Sequence, residues 1–304
     1  MQSFYRGMTP TSRGVVASVV ASALFAVLYA LPGMLTVLSP TEIFAWRVVV
    51  TVPVLTVLVV AIGEWADVRG IARRIRQTPL LAGLLVADAA LLGVQIWLFG
   101  WAPQTGHGLD VALGYFLMPL MMVLVGVTLH RERLSRLRIA AVAAAAIGVI
   151  FALLAGGGIG WSTVVVALGY PIYFTIRRAA RIDSTGALWF ELVILLVPSI
   201  VFAAQPASLA VVAAHTELIV PVLLLGVISA VALVAYILAT RLLSFSLFGL
   251  LTYVEPVLLV VVAVVVLGEG VSPSQVPTYL AILVAIILLM VEGAAPRRPD
   301  AAPN

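Results

Sequence analysis

Apolar residues run along this chain in ten blocks, separated by short breaks rich in polar residues, glycine and proline. The blocks cover 14–38, 43–62, 79–101, 111–129, 139–155, 161–176, 187–204, 218–240, 246–267 and 277–292. A helix needs about 20 apolar residues to cross roughly 30 Å of hydrocarbon, and most of these blocks match one crossing. The pattern predicts an all-α polytopic membrane protein with ten transmembrane helices. The first block follows Arg6 and Arg13 as a signal peptide would. It is longer than a typical signal core, and the repeat described below needs it, so it reads as a span.

The polar breaks alternate in charge. All 17 basic residues are arginine. Sixteen fall in the N-terminal segment, the even-numbered loops and the tail: Arg6 and Arg13; Arg69, Arg73, Arg74 and Arg76; Arg131, Arg133, Arg136 and Arg138; Arg177, Arg178 and Arg181; Arg241; Arg297 and Arg298. The odd-numbered loops, near 39–42, 102–110, 156–160, 205–217 and 268–276, hold none. Arginine gathers on the cytoplasmic side of membrane proteins. The split therefore predicts a plasma (inner) membrane protein with a cytoplasmic N-terminal segment at 1–13 and a cytoplasmic tail at 293–304. The stretch from Asp67 to Arg76 also suits a short amphipathic helix on the inner leaflet.

Composition agrees. Hydrophobic residues make up 63% of the 304 residues and charged residues 10%, against about 25% charged in globular chains. Mean hydropathy is +1.20. Without cysteine there are no disulfides and no thiolate sites, and without lysine there is no nucleotide-binding P-loop and no Schiff base. The net charge of +4 would suit nucleic acid, but the arginines are placed as topology signals. His107, His130 and His215 fall in separate loops and make no metal site, and nothing in the chain asks for a cofactor.

Pro119 is followed thirteen residues later by Glu132 at a span end, and Pro256 thirteen residues later by Glu269. Phe44-Ala-Trp-Arg47 is echoed by Leu188-Trp-Phe-Glu191. Two repeats of five helices follow, at 14–155 and 161–292. Five is odd, so the second repeat enters from the opposite side, as in inverted-repeat transporters.

Four ionisable residues lie well inside spans: Arg47, Asp88, Glu191 and Glu255. Embedded charges are functional candidates by default. Asp88 and Glu255 each sit about nine residues into a span, roughly 14 Å deep at ~1.5 Å per residue, and form a midplane pair. Arg47 and Glu191 are repeat-equivalent but near opposite faces, which argues against a direct ion pair. Arg47 matches the depth of Gln95. Tyr115, Tyr173 and Tyr253 are placed to stack on a planar solute. Pro32-Gly33, Pro119, Gly169-Tyr-Pro171 and Pro256 are candidate helix breaks lining or gating a cavity. Each of these residues also suits a structural role: a hydrogen-bonded carboxyl, a packed ring, a kink.

Further residues run in order along nearly the whole chain: Pro40-Thr-Glu42; Gln95 to Trp101; His107 and Asp110; Leu113 to Phe116; Arg131-Glu-Arg133; Arg177; Ala239-Thr-Arg241; Gly268-Glu269. With the sites above, they make the chain resemble the drug/metabolite transporter superfamily, its EamA-type repeats and its RarD-type branch. Gln95 stands where that pattern has Asn, and Glu255 where it has a small or polar residue. The resemblance implies export or facilitated passage of small metabolites or drugs, with no catalytic residues. The expected partners are a small-molecule substrate held between the repeats, the lipid bilayer and protons, in a monomer. The alternatives are a non-transporting sensor or scaffold, and an intramembrane enzyme. The latter lacks H-E-x-x-H, G-x-S-x-G, a paired-aspartate motif and an embedded histidine.

Overall fold

The computed structural model describes residues 9–105, 107–154, 160–258, 273–274 and 276–294. Among them there is no strand. The helices are α1 (Pro10–Ala30), α2 (Pro40–Ala61), α3 (Trp65–Gln77), α4 (Leu80–Thr105), α5 (Gly108–Thr128), α6 (Arg136–Leu154), α7 (Trp161–Ala179), α8 (Thr185–Ala203), α9 (Pro206–Ala214), α10 (Ile219–Leu242), α11 (Phe245–Leu251) and α12 (Val276–Ala294). Six stretches are long and apolar enough to cross a membrane, on α1, α2, α4, α6, α8 and α10. Shorter apolar stretches lie on α5, on α11 with its continuation, and on α12. The block at 161–176 falls on α7, which is in neither set because Tyr170, Tyr173, Arg177 and Arg178 dilute its apolar character. Large apolar side chains such as Leu80, Val57 and Val197 point outward, as lipid contact requires. The chain is a multi-pass membrane protein.

Local chemistry sets several boundaries that the apolar blocks miss. At α2, Ser39 Oγ accepts the Glu42 amide at 3.3 Å and the Glu42 carboxylate accepts the Ser39 amide at 2.8 Å. This capping box, with Pro40 in the first turn, starts the helix at residue 40 rather than 43. Arg47 is therefore seven residues inside, about 10 Å, and deeper than its block suggests. The loop expected at 205–217 contains α9, which opens on Pro206, and a 3₁₀ turn at Thr216–Leu218.

The proline breaks divide into two kinds. At Pro32-Gly33 the α-helix ends and tightens into a 3₁₀ turn, Leu31–Met34. At Pro119 and Pro171 there is no break: α5 and α7 run through their prolines. These two helices pack closely, with Val166 where a side chain at Gly114 would sit, and that clamp outweighs one lost backbone bond. Pro256 acts differently. It cannot donate to Thr252, four residues earlier. The helix opens at Thr252 and Tyr253 and resumes at 254–258. The Glu255 amide takes the Thr252 carbonyl at 3.1 Å, which fixes Glu255 at the break. Residues 259–267 of the ninth block, and Glu269, lie outside the described residues.

Packing joins the first half of the chain to the second. α1 packs on α10 and α11, α2 on α8 and α10, α4 on α7 and α8, α5 on α7 and α11, and α6 on α12. Gly226 lets α10 reach α2, since a Cβ there would overlap Val50. The amphipathic α3 lies against α8 at the arginine-rich end, where Arg74 donates to the Ala180 and Arg181 carbonyls, each at 2.7 Å.

A second clamp at that end is Glu132, in the turn after α5. Its carboxylate accepts the Phe245 amide at 2.7 Å and the Ser246 amide at 2.9 Å, and Arg178 lies 3.6 Å away. Burial disfavours its ionisation, but the donors from Ser246 and Phe245 and the Arg178 charge outweigh burial and hold its pKa below the ordinary 4.5. A carboxyl lowered in this way stabilises the fold fully above its ordinary value. That stability is lost as pH falls through the lowered one. Glu132→Gln is expected to lower stability at neutral pH by about 1–3 kcal/mol, the worth of hydrogen bonds to a charged acceptor. Thermal unfolding should show the gap to wild type closing at acid pH; a gap independent of pH would overturn this account.

Candidate functional site

Two buried charged groups stand out, one toward the arginine-rich end and one away from it. The first is built on α7 and α8. Tyr173 and Arg177 are four residues apart and share one helix face, so both point at Glu191 on α8. Arg177 is fully buried and pairs closely with Glu191 Oε1. The Tyr173 hydroxyl donates to Glu191 Oε2 at 2.8 Å. Arg177 Nη2 donates to the Ser184 carbonyl at 2.8 Å, and Nε lies 3.7 Å from Asp183. Asp88, from α4, brings Oδ2 to 3.9 Å from Arg177 Nη1. Thr240 on α10 donates to Asp183 at 2.8 Å. The cluster therefore joins α4, α7, α8 and α10.

The second group is Arg47 on α2 and Glu255 at the α11 break. Arg47 is 6% exposed and Glu255 5%. Arg47 Nε donates to Ser229 Oγ on α10 at 2.7 Å, and its guanidinium lies 5.9 Å from the Phe99 ring. Among the described residues, that is the only hydrogen bond the guanidinium makes, and no ion pair within 4.0 Å joins it to Glu255. The two charges nevertheless feel each other, and Tyr115, Tyr170 and Tyr236 lie within electrostatic reach of Glu255. Around them an aromatic wall continues through Phe25, Phe174 and Phe248, with edge contacts to Tyr236 or Phe174 at 5.1–5.5 Å. Two opposite charges, held apart with free hydrogen-bonding capacity among rings, can grip a solute that carries both a donor and an acceptor.

The expected site residues thus separate. Asp88 and Glu255 do not form a pair; Asp88 joins Arg177 and Glu191, because α4 packs on α7 and α8. Arg47 and Glu191 are likewise apart, as their depths require. Tyr173 belongs to the Arg177 cluster and Tyr115 to the Glu255 side. Tyr253 donates to the Phe116 carbonyl at 2.9 Å and ties the α11 break to α5. Gln95 does not meet Arg47: its Nε2 donates to the Val165 carbonyl at 2.9 Å, and Gly169 makes room for it. Arg177 is the main omission. Its place in an arginine-rich loop suggests a topology signal, whereas the four-residue spacing from Tyr173 is the clue to its burial. Ser229, Tyr170, Tyr236 and Asp183 carry no sequence signal of their own. At the far end, Trp101 stacks on His107 with ring centroids 4.5 Å apart and packs against Trp97 and Trp161 at 5.3 Å. No group of metal-ligating side chains occurs among the described residues.

No protein-family model matches the chain. Individual relatives do. The chloramphenicol-sensitive protein RarD of Pseudomonas aeruginosa is 38% identical over 284 residues, covering 92% of this chain and 94% of the relative. An uncharacterized transporter of Pasteurella multocida is 37% identical over 281 residues, covering 92% and 96%. The chain belongs to the RarD-type permeases. It is accordingly a membrane transporter, and the charged groups are those of a permease. A solved crystal structure shares the fold at a TM-score of 0.60 with 18% identity, covering 93% of this chain and 98% of that one.

Proposed function

We propose that this permease is a secondary transporter working by alternating access, carrying small metabolites or drugs as an exporter or facilitator. Ten spans form two inverted five-helix repeats, at 14–155 and 161–292. The helix packing supports that reading, because each close contact between a spanning helix of one half and a spanning helix of the other has its counterpart when the repeats are exchanged. α1–α10 matches α4–α7, α2–α10 matches α4–α8, and α1–α11 matches α5–α7, while α2–α8, α5–α11 and α6–α12 each map onto themselves. The arginine-rich end faces the cytoplasm and the chain works as a monomer in the inner membrane.

The observation that carries the reading is the unbridged pair Arg47 and Glu255 beside Tyr115, Tyr170 and Tyr236. It supports a solute with an anionic or carbonyl end for Arg47, a cationic or donor end for Glu255, and an apolar or aromatic body. Proteoliposomes containing the protein are expected to admit at least one of phenylalanine, tyrosine and chloramphenicol faster than empty vesicles. Glu255→Gln should cut that rate by about ten- to a hundredfold, the worth of one charge-assisted contact. Rates equal to those of empty vesicles for the whole panel, or a wild-type rate in the variant, would overturn the site.

A further inference from the structure

Asp88 is fully buried, and neither of its carboxyl oxygens has a hydrogen-bond donor among the described residues. Its carboxyl nevertheless converges with that of Glu191 on one guanidinium nitrogen: Arg177 Nη1 lies 3.9 Å from Asp88 Oδ2 and pairs closely with Glu191 Oε1. Two carboxylates so placed only repel; with one proton between them they make a strong bond. The charge count points the same way. Arg177 offers one positive charge to Asp88, Glu191 and Asp183, and it spends its shortest contact on Glu191. Tyr173 and Ser184 occupy the other sides. Fully ionised, the cluster would hold an excess of two negative charges in a low-dielectric interior, which is costly.

We infer that Asp88 and Glu191 together bind one proton, and that this is the coupling ion of transport, held apart from the solute site at Arg47 and Glu255. The inference rests on the transport reading above. The proton sits as Asp88 O–H donating to Glu191, and supplies the donor that Asp88 lacks. Asp183, with its side chain 21% exposed at the arginine-rich end, opens the exit. On release the O–H bond breaks, the proton passes to water at that end, and Asp88 keeps the electron pair. Two carboxylates then compete for one guanidinium. Arg177 shifts toward Asp88, and its hold on the Ser184 carbonyl in the α7–α8 turn weakens. Glu64, at the nearby α2–α3 turn, is engaged by Thr185 and Arg241 and closes the same end. Proton loss thereby loosens the arginine-rich end while the solute site keeps its own charges.

Asp88→Asn replaces the bound proton by an amide donor of the same shape, so it should fold as wild type does. Infrared spectroscopy of the purified full-length protein at neutral pH should show a carboxylic C=O band that Asp88→Asn removes and Glu255→Gln leaves unchanged. In proteoliposomes, phenylalanine, tyrosine or chloramphenicol flux by wild type should respond to an imposed pH gradient, and flux by Asp88→Asn should not. A carboxylic band untouched by Asp88→Asn, or no such band at neutral pH, would overturn the proton site. A gradient response retained by Asp88→Asn would overturn the coupling. Flux absent in wild type would instead overturn the transport reading, leaving the infrared result to decide the proton.

Discussion

Replacing Arg177 with methionine is expected to abolish most of the folded protein. Methionine nearly fills the space of the arginine stem but removes the charge that Glu191, Asp183 and Asp88 share. It also frees the Ser184 carbonyl, and so unpins the α7–α8 turn. Removing one partner of a buried ion pair typically costs about 3–5 kcal/mol, because the remaining charge stays buried without compensation. That is a large share of the ~5–15 kcal/mol by which folded proteins are stable. Arg177→Lys should recover only part of the loss, since a single ammonium cannot span Glu191, Asp183 and the Ser184 carbonyl as a planar fork does. The sharper test is compensation: Asp88→Asn with Glu191→Gln in the Arg177→Met background removes the stranded charges and should restore much of the melting temperature. Size-exclusion profiles and thermal unfolding of the four proteins decide the matter. A wild-type melting temperature for Arg177→Met alone would show that the carboxyls do not need the guanidinium.

Arg177 also shows where sequence reasoning stops. Embedded charges are visible as interruptions of apolar blocks, and Arg47, Asp88, Glu191 and Glu255 are all found that way. Arg177 lies one residue beyond an apolar block, among Arg178 and Arg181, and hydropathy alone assigns it to a loop. Its burial depends on α8 and α4 arriving on the far side of its helix. Which charge meets which is equally hidden: Asp88 and Arg177 are 89 residues apart, and only the packing of α4 on α7 brings them together. The capping box at Ser39 and Glu42, by contrast, is a local signal that would have placed the start of α2 and deepened Arg47. Pro256 was legible as a break because a proline always costs its fourth-preceding carbonyl a bond. The same rule misleads at Pro119 and Pro171, where close packing of α5 on α7 holds the helices together.

The largest expected effect on transport is at Arg47, and the form of that effect separates a solute site from a structural one. Arg47→Gln removes the charge while leaving a donor for Ser229, so the α2–α10 contact survives. The loss of a charge-assisted grip on the solute should lower the apparent affinity about ten- to a hundredfold. Glu255→Gln should do the same from the other side. If one solute bridges the two groups, their effects are coupled: once Arg47 is gone the solute is already poorly held, and removing the Glu255 charge also relieves an uncompensated buried carboxylate. The double variant is then expected to be no worse than the poorer single one, a departure from additivity of the kind contacting residues show. Substrate-protected thermal unfolding gives the second readout, since a ligand at 100 times its dissociation constant adds about 2.7 kcal/mol. The protection should vanish in Arg47→Gln while the ligand-free melting temperature stays close to wild type. Additive losses in the cycle would mean the two charges act independently. A fall in the ligand-free melting temperature large enough to explain the lost transport would make Arg47 a tether between α2 and α10 rather than a hand on the solute.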